Sequence, residues 1–268
     1  LFLVLAFSLA WCLEALMALF GGLRGRAAPA ILLAVMFVPG VASVLARVAT
    51  HDSWDDAGLR LGRPIGYPLA WAAILALVAA TTAITWVLWP GSTDLSALRQ
   101  VEELHLPWQV LFLLVVVAAP ALNFLPALGE ELGWRGYLLP KMLFLGELQA
   151  SLASGAIWGL WHAPVIVQGY NFPRHPVAGI AIMVVGCALL GGVMGWLRLR
   201  SDSVFPPALA HGTLNAVAGV PLAIMPTVDT AYGGLLLGMA GWLPMAIVLV
   251  ALVGAGQLGW KQKRQAVS

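Results

Sequence analysis

The chain has 268 residues, 61% of them apolar and only 10% charged, with a formal net charge of +2. A soluble globular domain carries about 25% charged residues, so water is excluded as the main solvent of this chain. No basic block suits nucleic acid, which is not an expected partner. Cys12 and Cys187 lie far apart inside apolar runs and read as buried small hydrophobes, not as a disulfide or a metal pair.

The chain reads as about eight transmembrane helices in a single transmembrane domain over residues 1–268, all-α and polytopic. Leu1 to Phe20 is the first span. It lacks the basic leader and small-residue cleavage site of a signal peptide. Glu14 sits inside it, where a carboxylate either packs against a neighbouring helix or reaches the interface, or else faces a polar cavity; the cavity reading is the less favoured. Pro29 to Ala49 is the second span, with Pro39-Gly40 as a kink, and a polar stretch from His51 to Tyr67 follows. Pro68 to Trp89 is the third, with tryptophans near its ends as interfacial anchors. Pro90 to Leu106 is polar, and its Glu102, Glu103 and His105 read as solvated surface.

The fourth span begins at Trp108 and ends on Leu128-Gly129-Glu130-Glu131-Leu132-Gly133-Trp134-Arg135-Gly136. Ionisable groups at membrane depth are expensive, so they usually pair, face an internal cavity and do a job; the alternative here is a helix end whose charges simply reach interfacial water. Glu131 and Arg135 are i and i+4, on one helix face and able to pair. Glu130 points about 100° away and needs a partner from elsewhere. A turn with Pro140, Lys141 and Gly146 follows. The fifth span, Leu148 to Gln168, repeats small residues every four positions at Ser151, Gly155, Gly159 and Ala163, a face for close helix contact. The sixth, Val177 to Leu197, carries the small pair Gly191 and Gly195. The seventh is Ala208 to Met225, started by Pro206 and Pro207. The eighth is Gly233 to Gly256, before a basic tail of Lys261, Lys263 and Arg264.

Eight spans put both termini on one side. That side carries Arg47, Arg60, Arg63, Arg135, Lys141, Arg198, Arg200, Lys261, Lys263 and Arg264. The other carries Arg24, Arg26, Arg99 and Arg174. The positive-inside rule then places both termini in the cytoplasm of a cell-membrane protein.

Two more polar pairs sit inside apolar helices. Trp158 and His162 are i and i+4 in the fifth span; His211 and Asn215 are i and i+4 in the seventh. A single buried histidine is more often a hydrogen-bonded core residue than a catalyst. A carboxylate, two imidazoles and an amide at similar depth, however, can activate water and stabilise an oxyanion. The same groups could also hold a metal with one open position.

These motifs resemble those of the CAAX-protease and bacteriocin-processing (CPBP, or Abi) family of intramembrane endopeptidases. Glu130, Glu131 and Arg135 match its first motif, Trp158 and His162 its second, and His211 and Asn215 its third. Phe is the usual aromatic of the second motif, and Trp158 is expected to bear on packing more than chemistry. The resemblance covers a core of about residues 107–220 and implies hydrolysis of a peptide bond within or beside the bilayer. The substrate would be a membrane-associated peptide or protein, lipidated in some members. Carried over, Glu130 activates water with His162 assisting, His211 and Asn215 polarise the scissile carbonyl, and Glu131 and Arg135 order the site. In a metallo-endopeptidase version, zinc would bind His162, His211 and a glutamate. No compact H-E-x-x-H supports zinc independently.

Two other functions remain open at this stage. A transporter would string Glu14, Asn123, Glu130 and the histidines along a proton or ion path, although no inverted repeat is evident. A non-catalytic immunity or scaffold protein could keep the same fold.

Overall fold

The computed structural model describes residues 1–96 and 105–259. Among these residues every regular element is a helix. Glu102, Glu103, Arg99 and the basic tail fall outside the described residues. In chain order the helices are α1 (Phe2–Leu19), α2 (Ala28–Thr50), α3 (Gly66–Leu88) and α4 (Trp108–Leu145). They continue as α5 (Glu147–Trp161), α6 (Ala163–Val167), α7 (Ala178–Ser201), α8 (Phe205–Val217), α9 (Gly219–Ile224) and α10 (Met239–Gly254).

Among the described residues, six helices are long and apolar enough to cross a membrane, taking α8 and α9 together. Two of the eight expected spans fall short. The fifth is split: His162 closes α5, and Pro164 offers no N–H to the carbonyl four residues back, so α6 is a new five-residue helix. The eighth begins later than expected, leaving α10 with 16 residues behind an irregular stretch. Conversely, α4 runs 38 residues, and Pro140 and Lys141 belong to it rather than to a turn. Cys12 is exposed on the outer face of α1, not buried; Cys187 is buried.

Helix α4 keeps its length by two detours. Leu114–Ala118 and Trp134–Leu138 are π-helical turns, each ending two residues before a proline. Pro120 and Pro140 cannot donate to the carbonyls of Val116 and Gly136. Other helices supply the donors: the Trp71 indole reaches Val116 O at 2.7 Å, and Arg47 Nη2 reaches Gly136 O at 2.9 Å.

Glycines set how closely the site helices approach. In α5 and α7, the small-residue faces expected from sequence meet each other. A β-carbon on Gly191 would sit 2.6 Å from the Gly155 α-carbon. On Gly133 it would sit 2.7 Å from the Pro39 carbonyl oxygen, and on Gly212 2.9 Å from the Phe124 nitrogen. Helix α4 is therefore held against α2 on one side and α8 on the other at near backbone contact.

One end of the bundle is tied by ion pairs. Buried Arg47 pairs with Asp56 at 2.7 Å, also donates to Ser53 O, and lies over the Tyr137 ring. Lys141 pairs with Asp52 at 2.8 Å. Phe2 packs on Trp134 and Tyr137 at this end. Gly259 donates to Glu147, the first residue after α4 and its following glycine. Both ends of the described chain thus lie on one side of the bundle.

Candidate active site

The site begins with two neighbouring carboxylates that point apart. Glu131 Oε1 accepts from Arg135 Nη1 at 2.9 Å, with both side chains fully buried. Arg135 also lies 4.7 Å over the Trp158 ring, a cation–π contact. The expected i, i+4 pair is present, but Glu131 has a second duty. The same Oε1 accepts from His211 Nδ1 at 3.0 Å. A carboxylate held by arginine is an acceptor only, so the His211 Nδ1 carries the proton.

Glu130 faces the other way. Its Oε2 accepts from Trp158 Nε1 at 2.8 Å, and its Oε1 lies 3.9 Å from His211 Nε2. Here the sequence reading needs correction. Trp158 does more than pack: its indole N–H fixes one oxygen of Glu130 and leaves the other free. The available signal was the donor itself, since a buried tryptophan needs a partner and phenylalanine has no donor to give.

His162 occupies the break between α5 and α6. Its backbone N–H bonds to Gly159 O, which frees the Trp158 carbonyl. The ring Nδ1 meets that carbonyl at 2.9 Å. A carbonyl only accepts, so Nδ1 carries the hydrogen and Nε2 is the ring's acceptor. The Trp158 side chain and backbone therefore serve Glu130 and His162 at once. Its ring also lies edge-on to both histidines, 5.7 Å from His162 and 5.1 Å from His211.

Glu130, His162, His211 and Asn215 line one cavity of about 90 Å³, together with Tyr170 and Glu14. Asn215 is the most exposed of the four motif residues. Glu131 and Arg135 sit behind the wall and do not line it. Tyr170 and Glu14 were not among the expected site residues; Glu14, favoured as a helix-packing or interfacial carboxylate, is buried and faces the cavity as well. Asn123, placed on a transport path in the alternative reading, donates to Ala119 O of its own helix and is absent from the lining. A larger cavity of about 530 Å³ between α3, α4 and α8–α9 has no ionisable side chain in its lining, so the polar chemistry belongs to the smaller one.

Among the described residues no three His, Cys, Asp or Glu side chains are grouped to hold a metal. The hydrogen bonds at the two Nδ1 atoms and at Glu130 Oε2 leave Nε2 of His162, Nε2 of His211 and Oε1 of Glu130 as the atoms that a zinc ion would have to take.

Residues 104–217 match the family model described as type II CAAX prenyl endopeptidase Rce1-like. No curated protein matches the chain. The matched segment contains all three motifs and ends at the last residue of α8. The chain is an integral membrane protein whose residues 104–217 are similar to the Rce1-like CAAX prenyl endopeptidase model, in agreement with the CPBP resemblance of its motifs.

Proposed function

We propose that this protein is an intramembrane endopeptidase that hydrolyses a peptide bond of a membrane-associated substrate with glutamate-activated water. The observation that carries this reading is the joint lining of one cavity by Glu130, His162, His211 and Asn215. Glu130 Oε1, the oxygen that Trp158 leaves free, takes a proton as the water oxygen attacks the carbonyl carbon. His162 Nε2 accepts from the same water and orients it. Asn215 and a protonated His211 Nε2 donate to the oxyanion. Collapse breaks the C–N bond, and Glu130 returns its proton to the leaving nitrogen. Glu131 acts behind the site: it fixes the His211 ring through Nδ1 so that Nε2 is presented to the substrate. On this route no metal-bound water is needed, so turnover should survive a strong chelator.

The test is cleavage of a membrane-peptide library by the purified chain. Glu130→Gln should lower turnover by at least about a hundredfold, the scale of a general base, with an unchanged melting temperature. Cleavage by Glu130→Gln at the wild-type rate would sink the mechanism. We further propose that the shared side of the two chain ends is the cytoplasm, on the ten-to-four division of basic residues. A reporter fused at the C-terminus and found active only outside the cell would reverse that orientation.

A further inference from the structure

Glu14 belongs to none of the motifs and lies outside the matched segment 104–217. It is the only charged side chain of α1 and is 1% exposed. Its carboxylate oxygen Oε2 has no hydrogen-bond partner among the described residues. Its backbone is engaged separately, with the Glu14 carbonyl accepting from Gln168 Nε2 at 3.1 Å. The side chain lines the same cavity as Glu130, His162, His211 and Asn215. No lysine or arginine lines that cavity. His211 is already committed to Glu131, and the Nδ1 of His162 to a carbonyl.

A buried carboxylate oxygen without a partner is costly, and a cation that enters beside it relieves the cost. The cavity sets the size of that cation. About 90 Å³ has room for one small head group. The remaining lining near Glu14 is apolar: Leu32, Val35, Met36 and Val165. Such walls suit the methylene stem behind an ammonium or guanidinium group.

We propose that Glu14 makes this cavity a subsite for an organic cation of the substrate, an ammonium or guanidinium group held beside the scissile bond. The role of that cation in cleavage rests on the protease reading; its binding does not. Two sources share this chemistry. One is a lysine or arginine side chain near the cleaved bond. The other is the amino group that cleavage releases.

The first experiment uses the full chain in detergent with methylguanidinium or n-butylammonium chloride as probe, against equal sodium chloride. The wild type should gain a saturable rise in melting temperature, Glu14→Asp should retain part of it, and Glu14→Gln should show none. No rise in the wild type, or an equal rise in Glu14→Gln, overturns the subsite. The second experiment compares cleavage of peptides with lysine or arginine, or an uncharged isostere, beside the bond. A side-chain source predicts about a tenfold preference in kcat/KM for the basic peptide, the scale of one charge-assisted hydrogen bond, erased in Glu14→Gln. A released-amine source predicts no such preference; instead the product fragment inhibits, its acetylation removes the inhibition, and Glu14→Gln weakens it. Cleavage with neither dependence overturns the subsite. A chain that cleaves nothing contradicts the protease reading, while the probe titration still decides whether the cation binds.

Discussion

Helix α4 makes the same backbone detour twice, in two different solvents. The first π turn, Leu114–Ala118, contains no buried residue and shows exposed Leu114, Val115 and Val117 to the outside of the bundle. The second, Trp134–Leu138, is buried at every position. Both release a carbonyl ahead of a proline. Facing lipid, the donor is the uncharged Trp71 indole. Inside, it is the Arg47 guanidinium, itself paired with Asp56. A bulge facing lipid needs only satisfied hydrogen bonds, because this one carries no charged residue. The buried one also has charges to balance, since it carries Arg135. The first turn lets the chain go on; the second also sets up the wall behind Glu130 and His211.

The largest expected effect comes from removing the anion that faces the buried turn. Glu131→Gln leaves Arg135 buried without its charge partner, and breaking such a pair typically costs about 3–5 kcal/mol. It also releases the His211 ring, so melting temperature and peptide cleavage should fall together. A stable but inactive Glu131→Gln beside a Glu130→Gln that still cleaves would mean that Glu131 and Glu130 have been assigned each other's roles.

Next come the two carbonyl donors. Arg47→Met strips a charged hydrogen bond from Gly136 O, with an expected loss of about 2–3 kcal/mol. Trp71→Phe strips a neutral one from Val116 O and should cost about 1 kcal/mol. Detergent melting of the two variants side by side checks the order. Equal losses would show that the two turns differ less than their surroundings suggest.

The smallest effect is electrostatic and concerns Asp52, just outside the spans, whose carboxyl Lys141 and Thr50 hold down from 3.8 to about 2. A depressed carboxylate stabilises the fold fully above its unfolded value and loses that contribution as pH falls through its folded value. The melting gap between wild type and Lys141→Met should therefore be constant above about pH 4 and close toward pH 2. A gap that widened on acidification would mean that Lys141 stabilises by some other contact.

Much of the site was legible because its chemistry is local. Glu131 and Arg135 are one turn apart on one helix, so spacing alone implied their pair. The Ser151, Gly155 and Gly191, Gly195 faces were readable for the same reason. What escaped was nonlocal or lay in the backbone. Nothing in the spacing shows that Glu131 reaches 80 residues along the chain to His211. Apolar composition runs through His162 and Pro164 without a break, so the end of α5 and the shortfall in span count were hidden. The π turns leave no periodic trace, because one extra residue merely shifts the hydrophobic phase. Glu14 was visible as an oddity; only the packing of α1 turns it toward the cavity.

Gly133 has a consequence for how variants of this protein would be read in a genetic screen. A methyl group there would meet Pro39 of α2, and rigid backbone lies behind the contact. The chain would have to lever α4 away from α2, and Glu130 and Glu131 would move with it. Gly133→Ala would then score as a catalytic loss although glycine touches no substrate. In such a screen, the inactive positions would trace two populations: residues that perform the reaction, and hydrogen atoms whose smallness keeps those residues in place.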